Sequence, residues 1–245
     1  MSHTQELSFK EIGGGLARLA VIEKHYLHRP CPISWAWGIF VDETLKGVLT
    51  IGKPPSWSTM CGVVGETYKE FKNNPKSRAN DVYELNRLWV CDSMPRNTES
   101  RFIGHCLREL RKQLPNAIVV SYADTQQGHI GYVYQATNWI YTGTSALFKD
   151  LHPVGYTDYR SVPNCVRGEK VNGKRAWALD PNVPRIKRSI KHRYVWFGDK
   201  KDEGLLAWKR QPYPKRAQTT PNSLHVGLLT AQVSSMAPCG SCHQA

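Results

Sequence analysis

No run of apolar residues in this 245-residue chain approaches the roughly 20 that a membrane-spanning helix needs, and mean hydropathy is −0.48. The opening segment MSHTQELSFKEI has no apolar stretch of the signal-peptide kind. Integral membrane and secreted classes are therefore set aside, and a cytoplasmic protein is expected. Acidic residues are scarce, with 20 Asp and Glu against 33 Lys and Arg. Residues 217–245 contain no Asp, Glu, Lys or Arg at all. Their Ser, Thr, Gln, Pro and Ala content predicts a disordered tail, since such a segment buries too little apolar surface to offset ordering. The 7 cysteines are odd in number and irregularly spaced, which speaks against a disulfide framework and for reduced thiols. Cys239, Cys242 and His243 have the spacing of a c-type haem attachment, but no second pair or export signal accompanies them, and the match is read as chance.

The net charge of +13 is unevenly placed. Residues 1–163 are close to balanced, whereas residues 164–216 hold 15 Lys and Arg against 5 Asp and Glu. Aromatics are interleaved with these cations: Trp177, Tyr194, Trp196, Phe197, Trp208 and Tyr213. Cations hold phosphates, and aromatic faces stack on bases taken out of a duplex. A nucleic-acid partner follows; the competing reading of the charge is a solvated basic surface, and some of the apolar members are expected to complete the sheet's core while others face the partner. The chain thus divides into an ordered α/β part (1–163), a basic aromatic-rich segment (164–216) that includes one last sheet strand, and the tail (217–245).

Hydrophobic periodicity predicts a helix over 13–26 and a hairpin from 33–41 and 46–52 around the turn Asp42-Glu43-Thr44-Leu45. Residues 53–80, with Pro54-Pro55 and scattered Gly, read as an irregular excursion with one short helix at GETYKEFK. A strand over 83–91 leads through the polar turn DSMPRNTES (92–100) to a helix over 101–114, whose Phe102, Ile103, Cys106, Leu107, Leu110 and Leu114 share a face until Pro115 stops it. A buried strand (116–124), a helix (129–139), a strand (140–148) and a strand at 191–198 follow. Strands and helices alternating at this spacing predict a mixed sheet flanked by helices.

Three places could carry chemistry. The turn at 92–100 precedes a helix N-terminus, where unpaired N–H groups and the helix dipole favour anions; Arg96, Asn97, Thr98, Ser100 and Arg101 are its candidate ligands, although the turn contains no glycine. Asp124 ends a strand at the edge where open α/β sheets place ligands, and Tyr134 follows on the next helix. A carboxylate there can accept a proton and a phenol can donate one; equally, Asp124 can cap the next turn and Tyr134 can fill the core. His25, Tyr26 and His28 cluster at the end of the first helix, either as metal ligands or as partners of the helix dipole.

At these residues the chain resembles the GNAT acyltransferase fold. Its fourth strand leads into a pyrophosphate-binding turn and helix, and its fifth into a helix that Gly131-Tyr-Val-Tyr134-Gln-Ala-Thr-Asn138-Trp139 resembles. More specifically, YELNRLWV, PRNTESRFIG, VVSYAD and the Tyr-Gln-Ala-Thr-Asn-Trp run resemble the Mom DNA-modification proteins of Mu-like bacteriophages, over roughly residues 20–160. The resemblance implies conversion of adenine N6 in phage DNA to carbamoylmethyladenine, which protects the DNA from host restriction. It implies Arg87, Ser100, Asp124 and Tyr134 as catalytic residues, a coenzyme A derivative as a candidate donor, and iron at His25, Tyr26 and His28. Double-stranded DNA is then the partner, with no membrane, and a homodimer stays open. The glycine-free turn departs from the GNAT pattern and leaves the donor undefined. Two rival readings stay open: a GNAT N-acyltransferase acting on a protein or small-molecule amine, and a basic DNA-binding protein without catalysis.

Overall fold

The computed structural model describes residues 7–147, 149–151, 164–172 and 174–215. The tail and its Cys239-to-His243 motif lie outside them, as does residue 163, where the first segment is expected to end. The central sheet contains seven strands: β1 (Leu7–Glu11), β2 (Trp35–Val41), β3 (Thr44–Gly52), β4 (Val82–Val90), β5 (Ile118–Asp124), β6 (Ile140–Thr144) and β11 (Lys191–Phe197), in the order β1-β2-β3-β4-β5-β11-β6. Short ladders pair β7 (Lys149–Leu151) with β10 (Arg185–Lys187), and β8 (Lys170–Val171) with β9 (Lys174–Arg175). The helices are α1 (Gly14–Lys24), α2 (Trp57–Val64), α3 (Tyr68–Asn73), α4 (Thr98–Gln113), α5 (Tyr132–Gln135), α6 (Asn164–Arg167) and α7 (Ala176–Leu179). The expected mixed sheet with flanking helices is present.

Strand alternation sorts the core into two layers. Phe102, Ile103, Cys106, Leu107 and Leu110 of α4 pack on one face, against Ile39, Leu49, Ile51, Leu85 and Val119. On the other face α1 buries Ala17, Ala20 and Val21 against Ala36 and Val48. There too Val63 of α2 meets Val82, Ile118, Val120, Val195 and Phe197. The hairpin turns through Asp42 and Glu43, both with positive φ (45° and 63°), as a two-residue turn matched to strand twist requires.

Several elements differ from expectation. β1 pairs along β2 where no strand is predicted. α2 occupies part of the stretch read as irregular. α5 is a single turn rather than a helix over 129–139, because Gly128, Gly131 and Asn138 all sit at positive φ. At Gly131 a Cβ would lie 2.4 Å from the Tyr194 ring, so this break is built in. α1 forms as expected but turns its larger apolar residues outward: Leu16, Leu19 and Ile22 are exposed, and only its small residues allow close approach to the sheet.

Two features open the sheet at its centre. β4 and β5 are the one parallel pair, matched from Val82↔Ile118 to Leu85↔Ser121. Beyond that point both strands continue unpaired with each other, so they part. β4 also carries a bulge: Thr50 faces Arg87 and Ile51 faces Leu85, leaving Asn86 extra. A bulge shifts alternation by one, so Leu85 and Leu88 both pack on the α4 layer while Trp89 joins the α1 layer. Arg87 thereby points to the α1 face.

Candidate active site

Asp124 ends β5 on the same face as Ile118 and Val120. Its Oδ1 accepts from Gln126 N–H at 3.0 Å, and its Oδ2 lies 3.4 Å from Lys191 Nζ. Lys191 is its register partner on β11. The carboxylate is only 7% exposed, so it is both a cap and a charge fixed at the mouth of the gap. Lys191, counted with the basic segment by sequence, belongs to this pair.

Around it the α1 face gathers the other polar groups. Tyr26 is 43% exposed, stacks on His25 with ring centroids 4.3 Å apart and meets His129 edge-on at 6.5 Å. Burial and the Asp124 charge push the Tyr26 phenol up. His25 is buried, and its Nδ1 accepts from Leu27 N–H at 3.1 Å. Burial first, then the charges of Arg87, His28, His129 and Lys191, lower its pKa to about 4, so the ring is neutral near pH 7. Arg87 donates to the Asn86 carbonyl at 2.6 Å, while its buried Nε has no hydrogen-bond partner in the structure. Buried donors of this kind are rarely left unmade. His129 carries no motif and was not recognisable in the sequence.

Tyr134 reaches the gap from the opposite face. Its ring is 6% exposed and packs within 5.1 Å of Trp139 and 5.2 Å of Tyr194 by centroid. Its hydroxyl and Ser121 Oγ are 2.8 Å apart, and Ser121 Oγ is 2.8 Å from the Leu85 carbonyl. Ser121 has one proton and the carbonyl only accepts, so Tyr134 donates to Ser121 and Ser121 to Leu85. Burial pushes the phenol up to about 12; it is a proton donor, not a base. Asp124 and Tyr134 thus flank one gap from two sides without touching.

The turn residues divide. Thr98 is fully buried and bonds the Pro95 carbonyl at 2.6 Å. Ser100 Oγ donates to the Asn97 carbonyl at 3.1 Å. Asn97 adopts the left-handed conformation with no side-chain cap bond, and Arg96 is exposed. Ser100 and Arg101 line a pocket of about 500 Å³ along α4 with Gly104, Arg108, Arg111 and Asn138. Its cations suit a phosphate-bearing group.

The iron reading does not fit. His25 Nδ1 accepts from the Leu27 N–H, so the proton of the neutral ring sits on Nε2 and that ring offers no free lone pair. His28 Nδ1 donates to the Ile22 carbonyl at 3.0 Å, which leaves one imidazole nitrogen of this group for a metal. Asp124 is already paired with Lys191. Among the described residues no three His, Cys, Asp or Glu side chains gather as metal ligands. In the basic segment, Tyr194 and Phe197 are buried core residues of the strand expected there, and Tyr213, though partly exposed, bonds the Trp139 carbonyl at 2.7 Å.

The Mom protein family matches residues 6–215 of the chain. The protein named methylcarbamoylase mom from Escherichia phage Mu is 33% identical over 220 residues, spanning 86% of this chain and 85% of that protein. The chain belongs to the Mom family. Among solved structures, an N-acetyltransferase from Staphylococcus aureus aligns with TM-score 0.44 and 10% identity, over 79% of this chain and 99% of that one. A Drosophila melanogaster polyamine N-acetyltransferase aligns with TM-score 0.42 and 10% identity over 78% and 100%. A Bacillus subtilis acetyltransferase in complex with CoA gives 0.40 and 10% over 79% and 99%. Likenesses at this level fix neither ligand nor reaction. No helix among the described residues is long and apolar enough to cross a membrane.

Proposed function

We propose that this Mom-family chain is a DNA-modifying transferase that attaches a carbamoylmethyl group to N6 of adenine, in the cytoplasm of an infected bacterium, and so shields phage DNA from restriction. The observation that carries the reading is the Asp124 carboxylate, fixed by Gln126 and Lys191 at the open end of the β4–β5 gap, in a chain that the family matches over residues 6–215. Adenine N6 is a weak nucleophile because its lone pair is delocalised into the ring. Asp124 accepts the N6 proton as the new N–CH₂ bond forms. The bond between that carbon and the donor's leaving group breaks, and the leaving group takes a proton from Tyr134, whose high pKa keeps it loaded. Arg87 Nε holds an acceptor oxygen of donor or base. A donor with a phosphate-bearing handle, such as a coenzyme A derivative, would lie along Ser100, Arg101 and Arg108; it supplies the carbamoylmethyl group.

Nucleoside mass spectrometry of DNA from cells expressing the chain tests this directly. A carbamoylmethyl increment on deoxyadenosine is expected. Unmodified DNA with a modified protein or small amine would point to the N-acyltransferase reading, and no modified product at all to a binder.

A further inference from the structure

Two aromatic rings stand in solvent on the Asp124 face of the sheet. Trp57 is 52% exposed and Tyr68 45%, with ring centroids 4.8 Å apart, and Phe71 continues the row at 6.3 Å from Tyr68. Exposed aromatic pairs are unusual unless something covers them. Each ring is held by a capped helix start. Trp57 is the first residue of α2, whose cap Ser56 accepts from Ser58 N–H. Tyr68 is the first residue of α3, fixed by the reciprocal Thr67–Glu70 capping box. The pair is thus preorganised rather than floppy.

The charge beside it is positive. Lys69, Lys72 and Lys76 are all exposed. The nearby acids, two against these three lysines, turn to neutral partners rather than to the lysines: Glu70 in the capping box, and Glu66 to Ser77 and the Arg78 N–H. The pair is also tied to the site. α2 packs Val63 into the cluster that holds Ile118 and Val120, with Tyr122 packed against it, and Tyr122 lies two positions before Asp124 on the same strand face. Rigid aromatic faces beside unpaired lysines are the chemistry that recognises unstacked bases and their phosphates. A duplex offers no free base faces; a strand opened around an extruded base does.

We infer that Trp57 and Tyr68, with Lys69 and Lys72, form a stacking platform for unpaired nucleotides of the DNA substrate near the target base. This rests on the DNA-modification reading. The test measures binding of the full chain to a short labelled single-stranded oligonucleotide and to its duplex by fluorescence anisotropy, alongside modified deoxyadenosine by mass spectrometry. Because both rings are exposed, Trp57→Ala and Tyr68→Ala are expected to melt like wild type. Each is expected to weaken single-strand binding about tenfold, the effect of losing one base stack, with duplex binding changed less than about twofold. Trp57→Phe keeps a π face and is expected to retain most of the affinity. Unchanged single-strand affinity in both alanine variants overturns the platform while wild-type modification leaves the function standing. A change of oligomeric state on sedimentation, without loss of DNA affinity, overturns it in favour of a contact between copies. Wild-type protein that neither binds nor modifies DNA removes both proposals.

Discussion

The two sides of the β4–β5 gap are built on opposite principles. On the α1 side, Asp124, Lys191, His25, Tyr26 and Arg87 form a polar set built around the Asp124–Lys191 ion pair. On the α4 side, Tyr134 sits among Trp139, Tyr141 and Tyr194, with one hydroxyl chain running through Ser121 to Leu85. The first side is polar and carries the ionised groups. The second is rigid and keeps its proton. A reaction that removes a proton from one atom and gives one to another is served by that division, because acceptor and donor are held on separate faces of the sheet.

The largest expected effects come from separating the two sides. Asp124→Asn keeps the cap to Gln126 but removes the charge; modification is expected to fall by at least about two orders of magnitude, with melting temperature nearly unchanged. Tyr134→Phe should reduce activity comparably and cost about 1 kcal/mol, the typical worth of one hydrogen bond. Tyr134→Ala is expected to cost about 3–5 kcal/mol, since it empties a packed aromatic site. Modified adenine per genome measured beside urea unfolding checks all three. Near-normal modification by both conservative variants would dissolve the comparison, placing the chemistry elsewhere.

How much of this the sequence carried differs by region. The β4–turn–α4–β5 unit was legible because α4 has a full 3.6-residue pattern and β5 is an unbroken apolar run. α2 was hidden by Pro54-Pro55 before it and by Gly62 and Gly65, which serve as close packing against Trp208 and as a left-handed cap. Asp124 and Tyr134 stand out as candidates from the strand and helix patterns, and Arg87 from the family resemblance alone. Their assembly with His25 and Tyr26 was not legible, because it depends on the Asn86 bulge that turns Arg87 to the α1 face. His129 carries no pattern, and Lys191 looked like one more cation of a basic segment until β11 placed it opposite Asp124.

A second effect concerns pH. His25 has its pKa depressed from 6.5 to about 4, so the unfolded chain binds more protons than the folded one between those values. The stability tied to the neutral ring is therefore fully present above about pH 6.5 and lost as pH falls toward 4. For a shift of this size the loss is about 3 kcal/mol. His25→Gln should be less stable at pH 7 but should lose less than wild type on moving to pH 4.5. Urea midpoints at the two pH values for both proteins measure it; parallel losses would mean that burial does not hold the His25 ring neutral.

The smallest effect is expected furthest from the gap. Lys174 and Lys187 are exposed on the basic segment, whereas Lys191 is committed to Asp124. If the segment lies along phosphates, each neutralised phosphate releases counterions, and log affinity falls linearly with log salt. Lys187→Glu should then weaken binding to every DNA sequence alike and lower the salt slope by about one, leaving modification at saturating DNA intact. Lys191→Glu should behave differently: it places a second carboxylate beside Asp124 and should suppress modification even at saturating DNA. Filter binding across a salt series, paired with single-turnover modification, separates the two lysines. Should Lys187→Glu leave the slope unchanged, the basic segment is a solvated surface, and DNA affinity must come from the Asp124 face of the sheet.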